Sequence, residues 1–302
     1  MTEPVLGVDL GGTHLRVAAA DARGRVYAER TERVGALTAG GFAQRIRRLV
    51  SELCPDGVSA VAIGVPAPVG ADGSIGPLIN LPDLNGLPLG TLARDELAAP
   101  VVVENDVNLA ALGEQRRGRA SVPEELVFIA VGTGVGMGIV IGGRIVRGVR
   151  GGAGELGALP LGPDRVGTGA HTLGPLEAVA GGAGLAQQWA ALTGRPSDGR
   201  DVYAAAERGD PQATALLDDQ ARVLAMGVRA VQALLDPDLF VFGGGIGARP
   251  DVYARVREAL AAHGIPVPEL ALSALGERAG VLGAVEMALD AAETSETAGV
   301  GG

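Results

Sequence analysis

The sequence predicts a mixed α/β protein with two domains, and three observations support this fold class. The chain has 302 residues, which is enough for two separate hydrophobic cores. Short apolar runs typical of strands alternate with longer segments of helical spacing. A pattern of strand, glycine-threonine turn and strand occurs twice, at residues 5–20 and 126–141, which indicates an internal structural duplication.

The first domain is predicted at residues 1–118, completed by a C-terminal helix at 278–292. Its strands are expected at Val5–Asp9, Leu15–Ala20, Arg25–Thr31, Val58–Val65 and Val101–Asn105, and its helices at Phe42–Leu53 and from Asp106 to about Gly118. The helix over Phe42–Leu53 follows from apolar residues spaced three and four positions apart. The glycine-rich turn between the first two strands predicts a hairpin.

The second domain is predicted at residues 119–277, with a flexible tail at 293–302. Its strands are expected at Leu126–Val131, Ile139–Ile141 and Leu239–Phe242, and helices at Asp210–Leu235, Arg249–His263 and Arg278–Ala291, the last returning to the first domain. Residues 132–138 and the glycine-rich stretch 151–182 are expected to form mainly loops. The residues from Thr294 onward are small and polar, so we expect them to fray.

Composition excludes several classes of function. The net charge is −10, which argues against nucleic acid or an anionic membrane as the main partner. No apolar run is long enough to span a bilayer, and the first residues lack signal-peptide features, so a cytoplasmic protein is expected. All 25 basic residues are arginine, so neither a lysine-containing P-loop nor a Schiff-base lysine is present.

Glycine clusters provide the first candidate binding sites. Gly11, Gly12 and Thr13 follow a strand that ends in Asp9, and Gly132, Thr133 and Gly134 repeat the design. Glycines at a hairpin tip let backbone N–H groups approach phosphate oxygens, and a carboxylate before the tip can hold Mg²⁺ through water. A single hairpin of this kind could be an ordinary turn, but the pair favours phosphate binding. Gly243, Gly244 and Gly245 follow an apolar strand, where a nucleotide base or ribose could lie against the main chain.

Asp106 is the candidate catalytic residue. It lies at a strand-to-helix junction in the segment from Glu104 to Asn108. Either Asn105 or Asp106 could simply cap the helix, which is the commonest reason for such residues. Alternatively, Asp106 accepts the proton of an attacking hydroxyl while Asn105 binds a neighbouring hydroxyl, because phosphoryl transfer needs mainly positioning and electrostatics.

Two glutamates in glycine-rich segments are candidates for binding a polyol. Glu155 lies within the run Gly151–Ala158, and Glu177 follows Gly174-Pro175-Leu176. Each carboxylate oxygen can accept from adjacent hydroxyls of a sugar. The alternative is that both are solvated surface residues, and Glu177 could also begin a helix.

Together these segments resemble the ROK family of repressors, open reading frames and sugar kinases. The ordered set carries the resemblance across nearly the whole chain: Asp9–Arg16, Glu104–Asn108, Gly132–Gly138, Ala153–Gly157, Leu176-Glu177, and Asp236-Pro237 with Gly243–Gly245. The resemblance implies an actin-like ATPase (ribonuclease H-like) fold, with ATP and sugar in a cleft between two α/β domains. It implies ATP and Mg²⁺ as cofactors, a homodimer, and Asp106 as the base. It further implies Asn80, Asn105, Glu155 and Glu177 on the sugar.

The chain departs from the family at its zinc site. Many members bind a structural zinc through one histidine and three cysteines, and the corresponding positions here are Ala158, Thr168, Ala170 and Pro175. A structural zinc site needs about four nitrogen or sulfur ligands, so we expect no structural zinc. The family's histidine also lies near the sugar, so Ala158 removes one polar contact and leaves space.

The expected activity is ATP-dependent phosphorylation of a hexose, with glucose to glucose 6-phosphate as first choice. Fructose, mannose or an N-acetylated amino sugar is the alternative acceptor, and a catalytically weak sugar-sensing regulator is an alternative of another class. Because the phosphate motif starts at Asp9, we expect no DNA-binding segment like that of the family's repressors, which favours the enzyme. Polyphosphate as the donor would favour a basic groove, which the net charge does not suggest.

Overall fold

The chain forms two α/β units, each built on its own sheet. The structure, a computed structural model, describes residues 3–35, 37–70, 73–78, 81–118, 124–160 and 174–299, without the side chains of 296–299. The first unit comprises residues 1–122, 143–153 and 278–302, and the second comprises 123–142 and 154–277. Residues 143–153 thus group with the first unit, although they fall inside the range predicted for the second domain.

The sheet of the first unit has five strands in the order β3-β2-β1-β4-β5. They are β1 (Val5–Leu10), β2 (His14–Ala20), β3 (Val26–Arg33), β4 (Ala60–Val65) and β5 (Val101–Asn105). Strands β1, β2 and β3 form an antiparallel meander, whereas β4 pairs parallel to both β1 and β5. The carboxyl ends of β1, β4 and β5 therefore meet at one edge of this sheet, where ligands of open α/β sheets bind.

The second sheet repeats the central hairpin. Its strands in the second unit are β6 (Leu126–Val131), β7 (Val135–Ile141), β9 (Leu239–Gly243) and β10 (Leu270–Leu272), and the two-residue strand β8 (Arg144–Ile145) lies in the segment 143–153 of the first unit. Within the second unit the order is β10-β9-β6-β7. Strand β7 is antiparallel to β6, and β9 is parallel to both β6 and β10. The relation of β7 to β6 matches that of β2 to β1, as the duplicated sequence pattern predicts.

Helices flank these sheets. They are α1 (Ala39–Leu53), α2 (Leu89–Leu97), α3 (Asp106–Gly113), α4 (Glu177–Ala180), α5 (Gly182–Thr193), α6 (Gly199–Glu207), α7 (Pro211–Leu235), α8 (Gly244–Gly247), α9 (Pro250–Ala261) and α10 (Ala279–Gly299). One turn of π-helix at Glu114–Gly118 extends α3. No helix in the described ranges is both long enough and apolar enough to cross a membrane.

Close helix packing places α3 in the first unit. Helix α10 approaches α3 so closely that a Cβ at Gly283 would lie 1.7 Å from the Leu109 carbonyl oxygen. A Cβ at Gly113 would likewise lie 2.4 Å from the carbonyl oxygen of Ala279. Both positions therefore require glycine, since real Cβ atoms do not approach other atoms this closely. The first residue of α3, Asp106, is thus presented by a rigidly packed helix.

Two predictions about secondary structure are wrong. Residues 132–138 do not form one long loop, because β7 begins at Val135; pairing with β6 overrides the weak strand propensity of its glycines. The last helix is also longer than predicted, since α10 continues beyond Ala291 to Gly299, while the flexibility of the tail stays a prediction. Helices α2 and α6 and strand β10 lie where the sequence offered no prediction.

Candidate active site

One edge of the first sheet collects the predicted polar residues of the first unit. Asp9 pairs with Gly64 on β4, and Gly64 pairs with Glu104 on β5, so the three lie in one row across the sheet. Asp106 comes two residues after Glu104, at the start of α3. Neighbouring strands are about 4.8 Å apart, so Asp9 and the β5 junction are separated by roughly 10 Å.

Asp9 is a buried carboxylate with one cationic side chain nearby. Its side chain is 13% exposed, and Nη1 of Arg16 lies 3.9 Å from Oδ2. Burial raises the pKa of Asp9 to about 6, and the charge of Arg16 lowers it only in part. A Cβ at Gly280, in the first turn of α10, would lie 3.1 Å from Oδ2. The site therefore holds a carboxylate whose negative charge is only partly compensated.

The first glycine-threonine hairpin closes directly after Asp9. The Gly11 N–H donates to the His14 carbonyl oxygen at 2.9 Å, and the Val34 N–H donates to the Thr13 carbonyl oxygen at 3.0 Å. Gly12 and Thr13 are exposed at the tip. The carbonyl group of Thr13 is thus held by the hydrogen bond from Val34, while the tip of the hairpin remains accessible to a ligand.

The structure decides which residue caps α3. Oδ1 of Asn105 accepts from the N–H groups of Val107 and Asn108, each at 3.0 Å, so Asn105 is the N-cap. Asp106 is the first helical residue and is half-buried, and its Oδ1 accepts from Val107 N–H at 2.8 Å. The positive end of the helix dipole favours a carboxylate there. Asp106 is therefore not needed as the cap, whereas a sugar hydroxyl would have to share Asn105 with the helix.

The second glycine-threonine hairpin is held by a helix. Gly132 N–H donates to the Gly134 carbonyl oxygen at 2.9 Å. The N–H groups of Gly182 and Ala183, at the start of α5, donate to the carbonyl oxygens of Gly132 and Thr133 at 2.8 and 2.9 Å. These bonds fix the carbonyl groups of the hairpin tip toward α5.

Glu177 braces this hairpin from the other side. Its Oε2 accepts from the Val135 N–H at 2.9 Å, across 42 residues of sequence. A Cβ at Gly134 would lie 2.4 Å from the same oxygen. Glu177 also begins α4, as the alternative interpretation of the sequence allowed. One of its oxygens is thus engaged with the hairpin.

The structure brings Glu155 close to Glu177. The pKa of the Glu155 carboxyl is raised by partial loss of surrounding water and by the charge of Glu177. The Leu176 N–H donates to the Gly157 carbonyl oxygen at 3.1 Å, which ties the two glycine-rich segments together. Gly154 has a φ of +95°, and a Cβ there would lie 2.0 Å from the Met137 carbonyl oxygen. The second unit therefore presents two carboxylates beside the second hairpin.

A cavity of about 510 Å³ lies against the second hairpin. Its lining combines two predicted sites with residues that the sequence did not single out: Gly132, Thr133, Gly182, Ala183, Ala186, Asp198, Gly199, Arg200, Gly245 and Ile246. Gly243 and Gly244 serve packing instead, because a Cβ would lie 2.2 Å from the Phe128 ring or 2.5 Å from the Val131 carbonyl oxygen. Of the three glycines, only Gly245 lines the cavity. The glycine-rich segment 181–184 and the Asp-Gly pair at 198–199 were the signals available in the sequence.

Some predicted positions lie outside the described residues. Asn80 is one of them, as are two of the four zinc-site positions, Thr168 and Ala170. Ala158 is exposed and Pro175 precedes α4. In the described ranges, no group of three or more His, Cys, Asp or Glu side chains could hold a metal ion.

Residues 5–291 of the chain match the ROK family. A bifunctional NanE/NanK enzyme of Brucella suis is 36% identical over 294 residues, which cover 95% of this chain and 53% of that protein. The chain thus spans about half the length of this relative. An N-acetylmannosamine kinase of Citrobacter koseri is 34% identical over 289 residues, covering 94% of this chain and 98% of the relative.

Solved structures show the same likeness. A ROK hexokinase from Thermus thermophilus is 32% identical and superposes with a TM-score of 0.85, covering 97% of this chain and 99% of that one. A ROK family glucokinase from Streptomyces griseus, in complex with glucose and AMPPNP, is 28% identical with a TM-score of 0.74. The superposition covers 95% of this chain and 99% of the glucokinase.

Proposed function

This chain belongs to the ROK family and has its actin-like ATPase fold, and we propose that it transfers the γ-phosphate of ATP to a sugar hydroxyl. The observation that carries this proposal is the environment of Asp106. The residue begins a rigid helix at the carboxyl edge of a sheet, and the capping role that could explain it belongs to Asn105. The N-cap role therefore does not account for the Asp106 carboxylate, which supports a role for it in the chemistry.

The chemistry requires one proton acceptor and firm positioning. The sugar hydroxyl oxygen attacks the γ-phosphorus, and its proton passes to the Asp106 carboxylate. The bond from the γ-phosphorus to the bridging oxygen breaks, and ADP leaves with that electron pair. Such transfer depends mainly on positioning and charge stabilisation, and a general base of this kind contributes about 10²–10⁴-fold.

The second unit is proposed to hold the nucleotide. The 510 Å³ cavity is large enough for a nucleoside, and it borders the hairpin of Gly132 and Thr133. We assign the phosphates to the N–H groups at this tip, with base and ribose toward Ala186 and Gly245. Arg200 also lines the cavity, where it forms an ion pair with Asp198 at 3.1 Å.

Asp9 fits a magnesium site that is bound through water. Its carboxylate is 13% exposed, burial raises its pKa to about 6, and the nearest cationic group of Arg16 lies 3.9 Å away. A hydrated divalent cation would supply the missing positive charge, and oxygen donors are what Mg²⁺ prefers. When bound, Mg²⁺ neutralises negative charge on the phosphate oxygens of ATP.

Glu155 and Glu177 are proposed to bind the sugar, with glucose as the first acceptor to test. The glucose complex of the Streptomyces griseus glucokinase supports this choice. N-acetylmannosamine is the second candidate, because the Citrobacter koseri kinase named for it is 34% identical. Ala158 also favours it, since a methyl group in place of an imidazole leaves room for a larger substituent.

An ADP-release assay against a panel of hexoses and N-acetylated amino-hexoses tests the proposal. We expect Mg²⁺-dependent phosphorylation of at least one sugar. The protein should phosphorylate that sugar much faster than the other sugars in the panel. Substituting Ala158 by His should shift the preference toward glucose if space at this position decides the acceptor. Absence of turnover with every sugar, for protein that is folded and binds ATP, would contradict the proposed activity.

A further inference from the structure

A ring of hydrogen bonds surrounds the junction that presents Asp106. Glu104 Oε1 accepts from the Asn105 N–H at 2.8 Å and from Nδ2 of Asn108 at 2.9 Å. Asn105 Oδ1 in turn accepts from the Asn108 N–H at 3.0 Å. Glu104, Asn105 and Asn108 form this ring. Asp106 lies between Asn105 and Asn108 in the sequence, so the ring fixes the residues on both sides of it.

Glu104 is an unusual residue for its place in the sheet. It is 2% exposed and Asn108 is also 2% exposed, although a buried carboxylate is costly unless it is paired and hydrogen-bonded. An apolar residue at this position of β5 would avoid that cost. A buried charge with three partners is instead suited to holding one geometry.

The third partner of Glu104 is Arg147, which lies in a different segment of the first unit. Its Nε donates to Glu104 Oε2, while half of the arginine side chain remains exposed. The segment around Arg147 is itself rigid. The Ala153 N–H donates to the Arg147 carbonyl oxygen at 3.0 Å, and a Cβ at Gly151 would lie 2.1 Å from the Val69 carbonyl oxygen. Arg147 is thus a fixed anchor for Glu104.

We propose that Glu104 is a positioning residue for phosphoryl transfer, and that Arg147 holds Glu104 in the orientation that aligns Asp106. The proposal rests on the proposed function of Asp106. Its physical basis is the sensitivity of in-line transfer to placement, since a displacement of about 1 Å can cost 10²-fold in rate. Neither Glu104 nor Arg147 is proposed to touch substrate.

Three variants test this role, because a loss of positioning should lower kcat and leave the KM values almost unchanged. Glu104→Gln keeps the size of the side chain but removes the charge that pairs with Arg147, and Arg147→Ala removes the anchor. We expect each to lower kcat by about 10-fold, with the KM values for ATP and sugar within about 2-fold of wild type. Arg147→Lys keeps the charge and should recover part of the loss. Arg150→Ala, an exposed arginine of the same segment, is the control expected to leave kcat unchanged.

The double variant Glu104→Gln/Arg147→Ala separates positioning from general destabilisation. If Arg147 acts through Glu104, the double variant should be no slower than the slower single variant, because the two effects are not additive. If the losses in kcat of the two single variants multiply in the double variant, or if Glu104→Gln keeps the wild-type kcat, the proposal is overturned.

Amide hydrogen exchange keeps the proposal testable if the wild-type protein phosphorylates no sugar. That result would contradict the proposed function but not the ring itself. Glu104→Gln and Arg147→Ala should then still speed exchange at the N–H groups of Asn105 and Asn108. Unchanged exchange at both positions would overturn the ring as a positioning device, whatever the activity.

Discussion

The two glycine-threonine hairpins share a sequence pattern but are held in different ways. In the first unit, the tip at Gly12 and Thr13 follows a buried carboxylate, Asp9, whose charge is only partly compensated. In the second unit, the tip is fixed by two N–H groups of α5 and by Glu177, which accepts from Val135 N–H. The first hairpin therefore follows a carboxylate whose charge is only partly compensated, whereas the second is held by hydrogen bonds with α5 and Glu177.

In the proposed function, this difference corresponds to different roles of the two units. The first unit carries the carboxylates at a sheet edge, Asp9 and Asp106, and these are suited to charge and proton chemistry. The second unit offers backbone groups, a cavity and two glutamates, which are suited to binding. Substitutions in the first unit should therefore act mainly on kcat and on charge-dependent stability, and those in the second mainly on KM.

Asp106→Asn should produce the largest effect. The asparagine keeps the shape of the side chain but cannot accept the proton, so kcat should fall by about 10²–10⁴-fold. The midpoint of thermal unfolding should change little, because Asn105 caps α3. Steady-state kinetics with the best sugar and a thermal melt provide both measurements. A variant with wild-type kcat would remove Asp106 from the chemistry.

Asp9→Asn should stabilise the ligand-free protein at high pH, because it removes a buried carboxylate charge. Burial raises the pKa of Asp9 to about 6, so the carboxyl favours folding below its unfolded pKa near 4, and this stability is lost as pH rises through 6. Two pKa units correspond to about 3 kcal/mol. The ligand-free variant should therefore unfold at a higher urea concentration than wild type at pH 8, with no such gain at pH 4.

Asp21→Asn is the control of opposite sign. Asp21 has a side chain that is 35% exposed, and its pKa is lowered, chiefly by hydrogen bonds from the N–H groups of Arg25 and Arg23. Its contribution to stability is present at pH 8 and is lost as pH falls. This substitution should therefore give no gain in stability at pH 8, and an equal gain in both variants would refute burial as the cause at Asp9.

Gly134→Ala should weaken the brace of the second hairpin. The new Cβ would lie 2.4 Å from Glu177 Oε2, so the carboxylate must move and its bond to the Val135 N–H is lost. One such bond is worth about 0.5–1.5 kcal/mol, which predicts KM values for ATP and sugar raised by up to about 10-fold. Gly132→Ala adds a Cβ with no atom within 4 Å, so it should leave the KM for sugar unchanged. Equal KM values for sugar in both variants would argue against the brace.

Glu155→Gln should have the smallest effect on stability. The pKa of Glu155 is raised by partial loss of water and by the charge of Glu177. Ionisation of this carboxyl as pH rises therefore lowers the stability of the folded protein. Neutralising it should make the ligand-free melting temperature less dependent on pH between 5 and 8. Because the residue is exposed, the change should be well below that of Asp9→Asn. A steeper pH dependence in the variant would contradict the assigned repulsion.

Local sequence patterns determined much of the fold. Strands β5 and β6 have the predicted boundaries, and β1 and β2 agree within one residue. These short apolar runs are bounded by glycine or polar residues, so hydrophobic burial and turn propensity act on the same few positions. The repeated hairpin and the carboxylate at the end of β1 were predictable for the same reason.

The residue that caps α3, and the partners that are distant in the chain, were decided only by the folded structure. The sequence left open whether Asn105 or Asp106 caps α3, and side-chain geometry in the folded chain assigns the cap to Asn105. Glu177 binds Val135 across 42 residues and Arg147 pairs with Glu104 across 43. Neither pair shares a local pattern, because such contacts depend on which elements pack together. The residue types of the proposed site were therefore determined locally, whereas their roles followed from long-range packing and hydrogen bonding.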